Sequence, residues 1–378
     1  MIRAVGLMSG TSMDGVDVAL IDTDGETSLA LGRNGFFPYG EADRALLRLA
    51  IVEAASLEDR NARPGRLASA EEMVTIRHAE AVEAFLSAES LSAADIDLAG
   101  FHGQTVLHRP ERRLTVQIGD GAALAKRLGI RVVYDFRADD IAQGGQGAPL
   151  VPVFHQALAV LAGFAKPAVF INIGGVANLS FVAPGQDPLA YDTGPGNALV
   201  DDLMLKRRGL PFDRDGAVAA SGRADREMIE RLLERPFFAA SPPKSLDRND
   251  FAGVAIEALT TEDAAATLTA LTAASIARAF AHLPEKPSRA IICGGGARNK
   301  TLMRELSGQL PCPVLPAEAY GWSSDAIEAQ AFAYLAVRSA KKLPITFPAT
   351  TGIQAPLPGG VLAEPPFAAE LPSAMGQE

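Results

Sequence analysis

The stretch Gly6-Leu-Met-Ser-Gly-Thr-Ser-Met-Asp-Gly-Val-Asp17 lies between two apolar runs near the start of the chain. Residues 2–8 before the turn and Val16 to Ile21 after it have the composition of strands, so Met1 to Thr23 predicts a β-hairpin. The turn from Ser9 to Gly15 concentrates small, hydroxyl and acidic side chains. Such a turn presents several free backbone N–H groups, hydroxyls and a carboxylate to one ligand.

These groups are the ones that a triphosphate and its Mg²⁺ require. The stretch is not a Walker A motif, because no Gly-Lys-Ser/Thr ends it and a strand rather than a helix follows. The alternative reading is a tight hairpin with an incidental Asp14.

The same pattern returns in the second half of the chain. An apolar run from Ala168 to Ile173 enters the turn Gly174-Gly-Val-Ala-Asn178, and Leu179 to Ala183 resumes a strand. This weak internal repeat predicts two α/β halves, each offering one glycine turn to a shared cleft. Read alone, the second turn is the weaker signal, since Gly-Gly serves any tight turn.

The remaining periodicities complete an α/β pattern. We predict domains at residues 1–135 plus 342–378 and at 136–341, because the polar, Gly-rich segment Asp135 to Gln146 suits a crossing between domains. Helices are predicted at Glu41 to Leu57, Ala68 to Ser87, Asp120 to Leu128, Ala198 to Lys206, Glu262 to His282 and Ser324 to Lys341, and further strands at Ile96 to Phe101, Leu114 to Ile118, Arg131 to Tyr134 and Ala290 to Cys293.

The composition is that of a globular enzyme. A chain of 378 residues exceeds one usual core, and a formal charge of −10 without a basic stripe argues against a nucleic-acid partner. Two distant cysteines, Cys293 and Cys312, favour a reduced cytoplasm. The N-terminus does not have the pattern of a signal peptide, and the longest apolar-leaning stretch, Val151 to Ala165, falls short of the ~20 residues of a membrane span, so no membrane contact is expected.

A third glycine run, Ile291-Ile-Cys-Gly-Gly-Gly-Ala-Arg-Asn299, has an apolar strand before it and a helix after it. This arrangement lets the backbone approach a nucleotide closely. It is not a Rossmann site, because Asn299 stands in the place of the last Gly and no acidic partner follows a strand ~20 residues on.

Tyr191-Asp-Thr-Gly-Pro-Gly-Asn197 places a carboxylate just after a predicted strand and before a stiff loop. Asp192 is therefore the best candidate for a general base. The alternative is an Asx-turn or N-cap that leads into the helix from Ala198.

Phe101-His-Gly-Gln-Thr105 and Arg137-Ala-Asp-Asp140 could bind substrate. His102 and His108 do not have metal-ligand spacing, and a lone His102 is more often a structural hydrogen-bonding group than a catalyst. Asp325 and Glu328 open a helix, where the dipole alone favours acids.

Together, the Gly6–Asp17, Phe101–Thr105, Asn172–Asn178, Asp192–Asn197 and Cys293–Asn299 motifs resemble, in order, those of the anhydro-N-acetylmuramic acid kinases. The resemblance runs from residue 6 to about residue 335. It implies the two-domain actin-like, hexokinase-like (ribonuclease H-like) α/β fold with a central cleft.

The resemblance further implies a reaction. ATP, with Mg²⁺, and water convert 1,6-anhydro-N-acetylmuramic acid into N-acetylmuramic acid 6-phosphate, in peptidoglycan recycling. Asp192 matches the catalytic base and Asp14 lies near the metal. A homodimer is also suggested. The expected nucleotide-binding residues are Gly10, Thr11, Ser12, Met13, Asp14, Gly15, Val16, Asp17, Asn172, Gly174, Gly175, Asn178, Gly294, Gly295, Gly296 and Asn299, and the expected sugar-binding residues are His102, Gln104, Thr193, Gly194 and Glu328.

Two departures from the family pattern concern the sugar side. The family commonly has Pro-Pro-Lys-Ser-Thr-Gly-Arg, where this chain has Pro242-Pro-Lys-Ser-Leu-Asp-Arg248, and Gly321 to Asp325 lacks the usual proline. The alternatives are a kinase of the same fold acting on another amino sugar and an Hsp70-like ATP-driven clamp, for which the sequence shows no peptide-binding appendage.

Overall fold

A computed structural model describes residues 1–10, 12–246, 248–251 and 253–366. The strands in this part of the chain are β1 (Ile2–Ser9), β2 (Gly15–Thr23), β3 (Leu29–Pro38), β4 (Leu98–Arg109), β5 (Leu114–Ile118), β6 (Val132–Tyr134), β7 (Ala168–Ile173), β8 (Val176–Val182), β9 (Leu189–Pro195), β10 (Ala290–Cys293), β11 (Val314–Pro316) and β12 (Val361–Ala363).

Helices alternate with these strands. They are α1 (Glu41–Ala54), α2 (Leu67–Ala88), α3 (Gly121–Leu128), α4 (Ala138–Ala142), α5 (Pro152–Leu161), α6 (Ala198–Arg208), α7 (Ala217–Ser221), α8 (Arg226–Leu233), α9 (Pro236–Ala239), α10 (Thr261–Ala279), α11 (Lys300–Gln309), α12 (Ile327–Ala340) and α13 (Pro348–Thr351).

The strands form two mixed sheets that share one order over five strands. In the first sheet the order is β12-β6-β4-β1-β2-β3, with β5 paired to β4, and in the second it is β11-β10-β7-β8-β9. In each, the first three strands in the chain are antiparallel neighbours. Parallel pairs continue each sheet on the other side of its first strand: β4 pairs with β1 and β6 with β4 in the first sheet, and β10 pairs with β7 and β11 with β10 in the second. The predicted duplication of α/β halves is therefore confirmed at the level of strand order and direction.

The chain forms two compact units. The first runs from Met1 to Ala157 and resumes at Glu328, and the second runs from Leu158 to Ile327. The sequence predicted domain boundaries at residues 135 and 341. These boundaries of the functional domains stay a prediction.

Helix α12 packs unusually close to the first sheet. Gly6 and Gly100 are paired neighbours in the parallel ladder of β1 and β4. A Cβ added to Gly6 would overlap the carbonyl oxygen of Ala329, and one added to Gly100 would overlap that of Phe332. The absence of side chains at these two positions is therefore what lets the helix backbone contact the strands.

We expect Gly6→Ala to lower the free energy of unfolding of the first unit by about 2 kcal/mol, because α12 must move away from β1. Urea titration followed by hydrogen exchange at β1 amides measures this change. Gly308→Ala is the matched control: an added Cβ there meets no atom of the described residues within 4 Å. As a helix position, it should gain about 0.5–1 kcal/mol. An unchanged stability in Gly6→Ala would contradict the close packing.

One helix in the described part of the chain, Thr261–His282, is long and apolar enough to cross a membrane. Of its most apolar window, 72% is buried within the protein. Burial of this extent is typical of a core helix, and α10 accordingly packs against β9 and α11.

Candidate active site

Gln104 of β4 forms hydrogen bonds with the turn between β1 and β2. The Ser9 Oγ donates a hydrogen bond to the Gln104 Oε1 at 2.7 Å, and the Gln104 Nε2 donates to the carbonyl oxygen of Gly10 at 3.1 Å. The Met13 backbone, with φ of 53°, closes the turn by donating its N–H to Gly10 O at 3.2 Å. The buried Gln104 amide therefore contacts the turn, in which sequence reasoning placed the nucleotide phosphates.

The acidic part of the turn faces solvent. Asp14 is exposed, and the Ser12 Oγ donates to its Oδ1 at 2.7 Å. Gly15, Val16 and Asp17 begin β2. Thr11 lies outside the described residues. An exposed carboxylate beside a glycine turn fits a divalent cation that keeps most of its ligands as water and phosphate oxygens.

We expect Gln104→Leu to raise the KM for ATP about tenfold with a smaller effect on kcat, because the turn loses two hydrogen bonds of about 1 kcal/mol each. Steady-state kinetics at saturating sugar measures this effect. Gln309→Leu is the matched control, since this exposed glutamine at the end of α11 does not contact the turn and its loss should leave the KM unchanged. A Leu variant with unchanged KM would show that Gln104 does not position the turn.

His102 is buried and neutral in the first unit. Its Nδ1 donates to Gly103 O at 2.8 Å, and its Nε2 accepts from the Arg137 Nη2 at 3.0 Å. Burial, and then the charge of Arg137, lower the pKa of His102 to about 3. Because both ring nitrogens have partners, the ring orients Arg137 rather than acting as a free acid or base.

Arg137 connects His102 with Glu328. Its Nη1 donates to Gly147 O at 2.6 Å, and burial lowers the pKa of its guanidinium to about 10, opposed by the charges of Glu328 and Asp140. Burial raises the pKa of Glu328 above its usual value, and the charge of Arg137 opposes this rise without cancelling it. The first unit therefore brings together Arg137 and Glu328, two groups able to bind a polar ligand, and His102, which orients Arg137.

In the second unit, two glycine runs leave the same sheet edge. Asn172 of β7 pairs in parallel with Cys293 of β10, so Gly174–Gly175 and Gly294–Gly296 follow neighbouring strand ends. A Cβ on Gly294 would overlap the Asn172 amide oxygen. Only glycine allows the two segments to approach this closely.

Asn197 joins the second glycine turn to the loop after β9. Its backbone N–H donates to Gly174 O at 2.7 Å and its Nδ2 to Ile173 O at 3.0 Å. Asn197 was not among the predicted binding residues, although it is the last residue of the Asp192–Asn197 motif. Asn299 was predicted to bind the nucleotide; its side chain accepts from the Leu302 N–H at 3.0 Å and so caps α11.

Asp192 lies inside β9, not after a strand as the sequence indicated, because pairing with β8 continues to Pro195. The N-cap alternative is excluded, since α6 begins after Asn197. The Asp192 Oδ2 accepts from the Leu246 N–H at 2.8 Å, and its own N–H donates to Lys244 O at 3.0 Å. Burial raises the pKa of Asp192 to about 6, and the Leu246 N–H opposes the rise.

The neighbours of Asp192 are tightly held. The buried Thr193 Oγ1 donates to Ala177 O at 3.0 Å, and Asn178 pairs with Asp192 across the ladder. Gly194, with φ of 154°, leaves no space for a Cβ because of Ser275. Sequence reasoning missed Lys244, although it lies in the Pro242–Arg248 motif. It also missed Tyr39 of the first unit, for which the sequence contains no signal. The Tyr39 hydroxyl donates to Ser9 Oγ at 3.0 Å.

Two sheets that share one order over five strands, each with a glycine turn after its first strand, define a two-sheet α/β protein of the actin-like class. A family profile described as anhydro-N-acetylmuramic acid kinase matches residues 2–364. The chain belongs to the anhydro-N-acetylmuramic acid kinase family.

Relatives with this name match nearly the whole chain. One from Methylorubrum extorquens is 56% identical over 375 residues, 97% of this chain and 100% of its own. One from Rhodopseudomonas palustris is 56% identical over 366 residues, again 97% and 100%.

Solved structures show more distant likeness. An activator of 2-hydroxyisocaproyl-CoA dehydratase from Clostridium difficile with bound ADPNP matches with a TM-score of 0.47 and 12% identity, over 90% of this chain and 96% of that one. A ROK family glucokinase from Streptomyces griseus, in complex with glucose and AMPPNP, matches with a TM-score of 0.40 and 12% identity, over 88% and 97%.

Proposed function

We propose that this protein uses ATP and water to open 1,6-anhydro-N-acetylmuramic acid and phosphorylate its O6, giving N-acetylmuramic acid 6-phosphate and ADP in peptidoglycan recycling. Membership of the kinase family over residues 2–364 supports the reaction. The observation that carries the mechanism is the placement of the half-buried Asp192 in β9, where its Oδ2 accepts from the Leu246 N–H at 2.8 Å and burial raises its pKa to about 6. A base of this strength is largely ionised at neutral pH and still accepts a proton readily.

Asp192 acts on water. Its carboxylate removes a proton as the water oxygen forms a bond to the anomeric carbon, and the bond from that carbon to O6 breaks. The O6 released in this way would bond to the γ-phosphorus of ATP as the bond from that phosphorus to the ADP oxygen breaks, so no separate acid is needed to protonate O6. The Leu246 N–H holds one carboxylate oxygen at 2.8 Å and so fixes the direction in which the other points.

When bound, ATP with Mg²⁺ supplies the phosphoryl group and positive charge near it. The turn from Gly10 to Asp17 and the turn at Gly174–Gly175 hold the phosphates through backbone N–H groups. Asp14 would hold the ion, because its carboxylate is exposed in the turn proposed to hold the phosphates. The described residues contain no cluster of three His, Cys, Asp or Glu side chains, so water and phosphate oxygens would supply the other ligands. Gly294–Gly296 admit the nucleoside.

His102, Arg137 and Glu328 orient the sugar in this proposal. The neutral His102 keeps Arg137 in place through the 3.0 Å hydrogen bond, so the guanidinium is available to the acidic group of the substrate. Thr193 and Gly194 line the approach to Asp192. We further propose that the enzyme works in the cytoplasm, as a homodimer.

The Leu246 departure is compatible with this chemistry. Asp192 is contacted by the backbone N–H of Leu246, a group that every residue except proline supplies. Asp247, the other changed residue of the same motif, lies outside the described residues.

An ADP-release assay with a panel of sugars tests the function. Anhydro-N-acetylmuramic acid should support turnover at least a hundredfold above N-acetylmuramic acid and glucosamine, since only it contains the bond that water must open. Equal turnover on all three would indicate another amino sugar kinase. Slow ATP hydrolysis that no sugar stimulates would indicate a clamp.

A further inference from the structure

The loop after helix α4 encloses the buried carboxylate of Asp140. The Gly147 N–H donates to Asp140 Oδ1 at 2.6 Å, and the Gly145 N–H donates to Asp140 O at 2.8 Å. A Cβ added to Gly145 would overlap Asp140 Oδ1, and Gly147 has a φ of 67°. Glycine at both positions therefore lets the loop contact this carboxylate closely.

Helix α13, from the C-terminal part of the first unit, contacts the same carboxylate. The Thr351 Oγ1 donates to Asp140 Oδ2 at 2.6 Å, and Thr351 O accepts from the Gln146 N–H at 2.7 Å. Both side chains are buried, so water does not compete for these hydrogen bonds. The two carboxylate oxygens of Asp140 thus have separate partners, one in the loop and one in α13.

The loop in turn contacts Arg137. Gly147 O accepts from the Arg137 Nη1 at 2.6 Å, and the His102 Nε2 accepts from the Nη2 at 3.0 Å. Arg137 and Asp140 lie at i and i+3 at the start of α4, so their side chains share one side of this helix. Burial lowers the pKa of Arg137, and the charges of Glu328 and Asp140 oppose this. Asp140 therefore acts on both the position and the charge of the guanidinium.

We propose that Asp140 and Thr351 are positioning residues for the sugar, and that they act through Gly147 on Arg137. This inference rests on the proposed function, in which Arg137 binds the acidic group of the anhydro sugar. A guanidinium binds a carboxylate best through two parallel N–H groups, so a small rotation of its plane weakens both hydrogen bonds. Gly147 O is one of two acceptors that set this plane, and Asp140 holds Gly147 in place.

Thr351→Val tests the inference, because it removes the hydroxyl and keeps the shape of the side chain. We expect the dissociation constant for anhydro-N-acetylmuramic acid to rise about tenfold, the effect of losing one hydrogen bond to a charged group. Calorimetry on the full chain measures this constant. The dissociation constant for ATP should stay unchanged, and Thr351→Ser, which keeps the hydroxyl, should bind the sugar as the wild type does.

Thr350→Val is the matched control. Thr350 is also buried in α13, but its hydroxyl forms hydrogen bonds with the backbone of Phe347 and not with Asp140. This variant should lose a similar amount of stability and bind the sugar with unchanged affinity.

A double-mutant cycle separates positioning from a general loss of stability. Arg137→Gln should weaken sugar binding, and Thr351→Val added to it should weaken binding no further, because Thr351 acts only through Arg137. If Thr351→Val does not fold, Asp140→Asn takes its place in the cycle with the same expectation. Its amide oxygen still accepts from the Gly147 N–H, but the negative charge beside Arg137 is lost.

Two results would each overturn the inference: equal sugar affinity in the Val variants of Thr351 and Thr350, or additive effects in the cycle. Either result leaves the proposed function intact as long as the wild type binds and phosphorylates the anhydro sugar. A wild type that does not bind this sugar would overturn both.

Discussion

Asp192→Asn should lower kcat about a thousandfold while the dissociation constant for ATP stays within twofold. The asparagine keeps the size of the side chain and an oxygen for the Leu246 N–H, but it has no basic carboxylate oxygen to take the proton from water. General base catalysis is worth roughly 10²–10⁴ in rate, so the loss should lie in that range. Single-turnover kinetics and nucleotide titration measure the two quantities separately.

The pH dependence supplies a second readout. Since burial raises the pKa of Asp192 to about 6, kcat/KM of the wild type should fall below pH 6 as the carboxylate becomes protonated, and this limb should vanish in Asp192→Asn. The matched control is Asp187→Asn, an exposed position just before β9. It should leave both rate and profile unchanged. Turnover retained in Asp192→Asn would remove Asp192 as the base.

Acidification from pH 7 to 5.5 should lower the free energy of unfolding of the first unit by about 3 kcal/mol. Burial lowers the pKa of His78 to about 4 and those of His102 and His155 to about 3. The unfolded chain binds protons at these residues below pH 6.5, whereas the folded chain does not until pH 4 or lower. Stability therefore falls with pH over that window, partly offset by Glu328 and Asp135, whose pKa values burial raises.

Hydrogen exchange read by mass spectrometry tests this prediction. Amides of β1 and β4 should lose protection as the pH falls, after correction for intrinsic exchange rates. Amides of β7 and β10 serve as the internal reference, because the three imidazoles all belong to the first unit, and Asp192 of the second unit, whose pKa is raised to about 6, should raise rather than lower the stability of that unit on acidification. In His78→Leu the loss should shrink by about 1 kcal/mol, since one titrating group is gone. A pH-independent protection of β1 and β4 would contradict the buried neutral imidazoles.

Much of the fold was predictable, because its signals are local. The apolar runs at 114–118, 168–173 and 290–293 match β5, β7 and β10, and the glycine turns follow β1, β7 and β10 as expected. Strand β3 was missed: it lies at the sheet edge with Gly32 and Gly35 inside it, so it shows neither a buried run nor clean alternation. The segment predicted as a polar crossing contains α4, whose acids make contacts distant in sequence, such as Asp140 with Thr351.

The candidate site was predictable in its residues but not in their partners. Motif order identified Asp192 and Gln104. No local pattern indicates that Leu246 contacts Asp192, or that Ser9 and Gly10 contact Gln104. Such pairs span 54 to 95 residues, and a sequence pattern carries no information on contacts at that separation.

The segment from Lys244 to Leu246, which contacts Asp192, also covers part of a strand edge. Strand β9 ends the five-stranded sheet, and Lys244 and Leu246 supply the two hydrogen bonds that Asp192 makes on its open side. An uncovered strand edge is a template for pairing with another chain. Loosening this segment should therefore expose both the carboxylate that we propose as the base and an unpaired strand edge. Loss of activity and self-association of the protein would then develop together on prolonged storage.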